Sequence, residues 1–157
     1  SKVFSKYFKR ASKINVGQFD DLIELGLQGK NSKGISLSKT AARDAKFEAE
    51  VAQSLRDKLV SFKKEVMHPT EARIAGEIDI ETPNYIIEAT MGRSSKAKQV
   101  AGNLTNSVVN PSNKPVLVVA PKMTNSLKIQ NTLDSGAKAV FHSIPELLEF
   151  LAKNGGA

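Results

Sequence analysis

The 157-residue sequence predicts an α/β domain in which helices flank a central mixed sheet. Three observations carry that prediction. Residues 41–62 place Phe47, Val51, Leu55, Leu59 and Phe62 at steps of three or four, the period of a helix with one apolar face. Residues 75–81 alternate acids at 77, 79 and 81 with Ile78 and Ile80. After the turn chemistry of Thr82-Pro83-Asn84 comes a second extended run at 85–90, which predicts a hairpin. Residues 115–121 read Pro-Val-Leu-Val-Val-Ala-Pro, the pattern of a strand covered on both faces.

The remaining elements follow in order. Residues 1–12 are basic with Phe4, Tyr7 and Phe8, and read as a helix or a linker remnant. Residues 18–27 carry Phe19, Leu22, Ile23 and Leu27 at the spacing of a short amphipathic helix. Glycine, serine and lysine dominate residues 29–38, a solvated connection. Residues 1–38 are therefore read as a helical and linker segment, and 39–157 as the main domain. Thr40 is the expected cap of the long helix. Within that helix Glu48 lies on or beside the inward stripe, whereas Glu50 shares its side with Ser54, Asp57 and Lys58. Residues 64–67 form a short strand that stops before Pro69. Residues 96–106 and 126–133 read as helices and 139–141 as a strand. The helix expected over 143–153 has Ser143 as cap, Pro145 in its first turn and Glu146 three after the cap.

Composition narrows the function classes. A hydrophobic content of 40% argues against a disordered chain. The absence of cysteine excludes a disulfide scaffold, a thiolate zinc site and a cysteine nucleophile. No apolar run approaches the ~18 residues of a membrane span, and stable membrane insertion is not expected. The 23 Lys and Arg against 16 Asp and Glu leave a net charge of +7, which suggests a polyanionic partner. The start at Ser1 rather than Met is read as a cut from a longer chain. Glycine-rich phosphate loops, nucleophile elbows and zinc signatures are missing. His68 and His142 stand alone and are expected to be structural.

Two carboxylates stand out, Asp79 and Glu88, on the paired strands of the expected hairpin. Neighbouring strands lie about 4.8 Å apart, so acids on one face can share a divalent cation. Hard cations such as Mg²⁺ use one or two protein carboxylates beside substrate phosphates. Alternating acids also mark the solvent face of an ordinary antiparallel pair. Glu88 argues for more than that. It follows Ile86-Ile87 in a strand that reads as buried, and a buried acid needs a partner. Glu48 could add a third oxygen or position a water. Lys96 and Lys98, past Gly92, could stabilise developing phosphate charge. Arg73, just upstream of the first acidic strand, and Lys122, past the end of the buried strand, are candidate phosphate contacts.

These residues resemble the PD-(D/E)xK nuclease superfamily. The resembling stretch is Gly76-Glu77-Ile78-Asp79-Ile80 followed by Ile86-Ile87-Glu88-Ala89-Thr90, with Phe47-Glu48 upstream in a helix. From about residue 40 onward the order of elements is similar too. More narrowly, the run Gly92-Arg93-Ser94-Ser95-Lys96-Ala97-Lys98-Gln99 resembles the C-terminal toxin modules of CdiA, the contact-dependent growth inhibition effectors, including tRNA-cleaving ones from Burkholderia. The resemblance implies a metal-dependent endonuclease whose metal, Mg²⁺ with Mn²⁺ or Zn²⁺ as alternatives, is held by Asp79 and Glu88. Glu48, Lys98 and Lys96 would join the catalytic set, and Arg73, Arg93, Lys96 and Lys122 would contact nucleic acid. It further implies delivery into a target-cell cytoplasm from a large secreted or surface effector, and a cognate immunity protein, expected to be acidic. One departure matters. The family places lysine two residues after the second acid, and here that residue is Thr90. Lys98 is the first expected replacement and Lys96 the second. The alternatives are a DNase toxin or DNA-processing nuclease of the same fold, and a non-catalytic nucleic-acid-binding module.

Overall fold

The computed structural model describes residues 16–105 and 107–157, so the basic stretch at 1–12 lies outside the described residues. Helix α1 (Val16–Leu27) and helix α2 (Lys39–Ser54) come first, then a 3-10 turn (Arg56–Lys58). Strands β1 (Ser61–Met67), β2 (Ile74–Glu81) and β3 (Ile86–Ala89) follow. The chain closes with helix α3 (Ala97–Thr105), strand β4 (Val116–Val119), helix α4 (Ser126–Asp134), strand β5 (Ala139–Phe141) and helix α5 (Ile144–Lys153). The fold is mixed α/β, as expected, and the sheet order is β1-β2-β3-β4-β5. None of these helices is long and apolar enough to cross a membrane.

Strands β1, β2 and β3 form an antiparallel meander, and β4 and β5 add in parallel. The turn between β2 and β3 is closed by Thr82, whose N–H donates to the Tyr85 carbonyl while its hydroxyl accepts the Tyr85 N–H. Parallel pairing needs a crossover of a dozen residues or so. α3 supplies it between β3 and β4, and α4 between β4 and β5. Every residue of β3 and β4 is buried, as the apolar run at 115–121 predicts.

The sheet divides the core in two. On one face Phe19 and Ile23 of α1, Phe47 and Val51 of α2, and Leu147 and Leu151 of α5 pack against Phe62, Ile80, Ile87, Leu117 and Val119. On the other, Val100 of α3, Val109 and Met123 pack against Ile78, Ile86, Val116 and Val118, with Ile129 of α4 beside them. α1 therefore shares the core of α2. The two helices cross closely at Gly26, where a Cβ would stand 2.8 Å from that of Ala49.

The long helix ends earlier than its apolar period suggests, at Ser54 rather than residue 62. The Ser54 hydroxyl donates to the Val51 carbonyl at 2.6 Å, and Leu55 N–H turns back to Ala52. Phe62 still reaches the core, but from β1, where it pairs with Ile80. Apolar residues three or four apart fit a helix or a helix-turn-strand path equally well. The ladder with β2 decides, so β1 starts at Ser61 instead of residue 64. The cap is Ser38, whose Oγ accepts the Ala41 N–H, rather than Thr40. Ser143 does cap α5, accepting the Glu146 N–H at 3.2 Å.

Candidate active site

Strands β2 and β3 pair through Ile80↔Ile87 and Glu81↔Ile86. Past that ladder the Ala89 N–H donates to Asp79 Oδ2 at 3.1 Å. A carboxylate thus receives a strand N–H where the two strands part. β2 also turns over at this point. Ile80 joins the first core cluster and Ile78 the second, although they lie two residues apart. A side chain at Asp79 is aimed into the fork rather than flat against either layer.

Glu88 stands in that fork at 4% exposure. Asn103 of α3, itself 6% exposed, donates from Nδ2 to Glu88 Oε1. Burial pushes the Glu88 carboxyl up to about 9, and the charge of Asp79 and a hydrogen bond with it add to the rise; Lys96 and Asn103 oppose it. The two acids expected to act together are in contact. Two carboxyl groups sharing a hydrogen bond hold a proton between them, and the titration belongs to the pair.

The three alternating acids of β2 have three different fates. Glu81 is neutralised: Lys114 Nζ lies 2.6 Å from its Oε2, and the Ser61 hydroxyl donates to its Oε1. Glu77 stays on the rim. There it faces Glu65 of β1 across the ladder, whereas Asp79 meets Glu88 of β3.

Glu48 reaches the same cleft from α2. Burial and then Asp79 push its carboxyl up to about 8, against the pull of Lys63. Lys63 Nζ lies 3.8 Å from Glu48 Oε2. The cleft has a volume of about 470 Å³, and Glu48, Glu77, Asp79, Glu88, Lys96 and Asn103 line it together with Gln99 and Val109. Its floor at Gly76 is tight, since a Cβ there would stand 2.9 Å from Val109 Cγ2.

The structure sets the two candidate lysines in different places. Lys96 lines the cleft and acts on Glu88, while Lys98 is exposed and outside the cleft lining. Two residues apart at the start of α3, they point to different sides. Lys96 is placed by its own backbone, because its N–H donates to Thr132 Oγ1 at 3.2 Å and the Ser95 hydroxyl lies 3.3 Å from the same atom. Thr90, at the position where the resembling family carries lysine, is 6% exposed. Its hydroxyl accepts the Gly92 N–H at 3.0 Å and so turns the chain out of β3.

Arg73, Arg93 and Lys122 are exposed and outside the cleft lining. Arg73 pairs with Glu71 within the β1–β2 loop. His68 Nδ1 accepts the Glu71 N–H in that loop, and His142 Nε2 lies 3.0 Å from the Met123 carbonyl. A different basic surface was not anticipated. Lys39, Arg43 and Lys46 follow one another at steps of four and three on α2, beside a groove of about 480 Å³. None of them has an ion pair among the described residues, and they face away from Glu48, two residues past Lys46.

The donors in the cleft are oxygens, and four acids face the single cation Lys96 among the described lining residues. No three His, Asp or Glu side chains among the described residues converge tightly enough to enclose an ion by themselves. That set fits a hard divalent cation, which takes one or two carboxylates and completes its shell with water and phosphate oxygens. Sequence reasoning missed Asn103, Lys63 and Thr132. Asn103 and Thr132 are polar residues on helices with no motif around them. Lys63 falls between the run read as helix and the run read as strand. No family model, curated protein or solved structure matches this chain.

Proposed function

We propose that the chain is a metal-dependent endonuclease that hydrolyses phosphodiesters in RNA, most specifically a tRNA-cleaving toxin module of a contact-dependent growth inhibition effector. The observation that carries this reading is the Asp79–Glu88 contact in a cleft that also holds Lys96. The net charge of +7 and the resemblance around Asp79 and Glu88 support it. In this reading Asp79 and Glu88 hold Mg²⁺, which supplies Lewis acidity at the scissile phosphate when bound. Glu48, raised to about 8, is suited to take the proton of the attacking water near neutral pH. The new P–O bond forms as the old ester bond breaks, and the departing oxygen takes a proton from solvent. The Lys96 ammonium opposes the negative charge that builds on the phosphate. The cations of α2 and the exposed Arg93 and Lys122 offer further phosphate contacts. A module of this kind acts in the cytoplasm of a recipient cell, and its producer requires a cognate immunity protein, for which an acidic surface suits this charge.

A second reading, a non-catalytic nucleic-acid-binding module, draws support from Asn103, which satisfies Glu88 without any metal. One experiment separates the two. Total tRNA and plasmid are incubated with the protein in Mg²⁺ and in EDTA. Cleavage of tRNA in Mg²⁺ alone is expected. Cleavage of plasmid only would shift the reading to a DNase, full cleavage in EDTA would remove the metal mechanism, and retention of uncleaved RNA would favour the binding module.

A further inference from the structure

Among the described residues only Lys63 and Asn113 have a positive φ without being glycine, at 55° and 52°. Asparagine tolerates that region. Lysine does not, because its Cβ crowds the following carbonyl, and such a residue persists only where its surroundings hold it. Lys63 lies inside a strand, on the rung between Phe62↔Ile80 and Lys64↔Ile78, which places it across from Asp79. In a regular strand successive side chains point to opposite faces. Here Phe62 packs in the cluster that contains Phe47 and Val51 of α2, and Lys63, the next residue, reaches Glu48 of the same helix at 3.8 Å. The left-handed residue lets two consecutive side chains address one helix. The β1–β2 hairpin also turns over at this rung, between Ile80 and Ile78.

We propose that Lys63 is a positioning residue of this cleft: its left-handed backbone carries an ammonium to Glu48 and holds that carboxylate in line with Asp79 and Glu88. The inference rests on the nuclease reading and adds a cation that no motif assigns. Lys63 does not line the cleft, so it acts through Glu48. An extended residue at this position would send the ammonium to the far face of the sheet, and Glu48 would lose its partner.

The test uses Lys63→Gly and Lys63→Arg, each in the wild-type and Glu48→Gln backgrounds. Glycine adopts the required φ freely, so Lys63→Gly removes the ammonium without backbone strain. It should lower kcat by about 10–100-fold with little change in KM, the usual cost of losing an outer partner of a site. Its thermal midpoint should hold or rise. Lys63→Arg should keep most of the rate. In Glu48→Gln protein Lys63→Gly should cost nothing more, because the two residues act as one unit. Mn²⁺ affinity, read by calorimetry, should fall with Lys63→Gly in the otherwise wild-type protein. Equal rate losses in both backgrounds, with a lowered midpoint, would show a merely structural lysine and overturn the inference. So would wild-type kcat and Mn²⁺ affinity in Lys63→Gly. An inert wild-type protein would instead overturn the nuclease reading, and this inference with it.

Discussion

The Thr132 hydroxyl accepts the backbone N–H of Lys96 at 3.2 Å across 36 residues of sequence. The same oxygen donates to the Lys128 carbonyl at 2.8 Å, and Thr132 is fully buried. α4 therefore pins the first turn of α3, and with it the lysine of the cleft. Thr132→Val keeps the shape and removes the hydroxyl. It should cost about 1 kcal/mol in urea unfolding, since a half-buried N–H loses its partner. Cleavage should fall at the same time, and Thr132→Ser should retain both. Wild-type turnover in Thr132→Val would show that Lys96 needs no such anchor.

Lys96 and Lys98 should separate cleanly. Lys96→Ala removes the ammonium nearest Glu88 and should reduce the rate by about 10²–10³, the scale for losing one stabilising contact. Lys98→Ala should weaken only the salt-dependent part of substrate binding. Single-turnover cleavage at two salt concentrations reads both effects. A dead Lys98→Ala beside an active Lys96→Ala would reverse the assignment.

The acids should be dispensable for folding and required for cleavage. Glu88→Gln removes a carboxyl that burial disfavours ionising, and Asp79→Asn removes the charge beside it, so at pH 8 and without metal the thermal midpoint should rise or hold. Cleavage should be lost in both, and Glu48→Ala should reduce it by a smaller factor. Purified Asp79→Asn protein with full activity would remove the site.

Stability of the metal-free protein should decline as pH rises. Glu48 and Glu88 are raised from an ordinary 4.5 to about 8 and about 9 in the folded state. Between these values the folded chain binds more protons than the unfolded one, so stability is full below about pH 4.5 and is lost progressively up to pH 8–9. A divalent cation competes with those protons, so Mg²⁺ should raise the thermal midpoint more at pH 8.5 than at pH 6. Scans at both pH values, with and without Mg²⁺, measure this. A midpoint that rises with pH in EDTA would contradict the burial of these carboxyls.

Much of this geometry was legible in the chain because it rests on short-range pattern. Alternation in 75–81 and the turn at Thr82 announced the hairpin, and Ile86-Ile87 announced that Glu88 would be buried. Ser143 announced its helix because capping is local chemistry. What escaped depends on tertiary placement. The apolar spacing of Leu55, Leu59 and Phe62 suits a helix, yet pairing with Ile80 draws Phe62 into β1. Lys63 falls between the two runs, and no pattern encodes its backbone conformation. No local pattern places Lys96 in the cleft, because its Thr132 anchor comes from an element far along the chain. Asn103 carried no signal beyond a polar residue on a helix, and its pairing with Glu88 exists only once α3 lies across β3.

Because the strands lie side by side in the order in which they occur, none has to be inserted between two earlier ones. The sheet can grow by accretion, each new strand closing onto an existing edge, which keeps the entropic cost of loop closure low at every step. The acids, Lys96 and Asn103 all belong to the first two thirds of that growth, but the hydroxyl that pins Lys96 arrives only with α4. A chain folding from its N-terminus would thus gather its carboxylates early and align its lysine late.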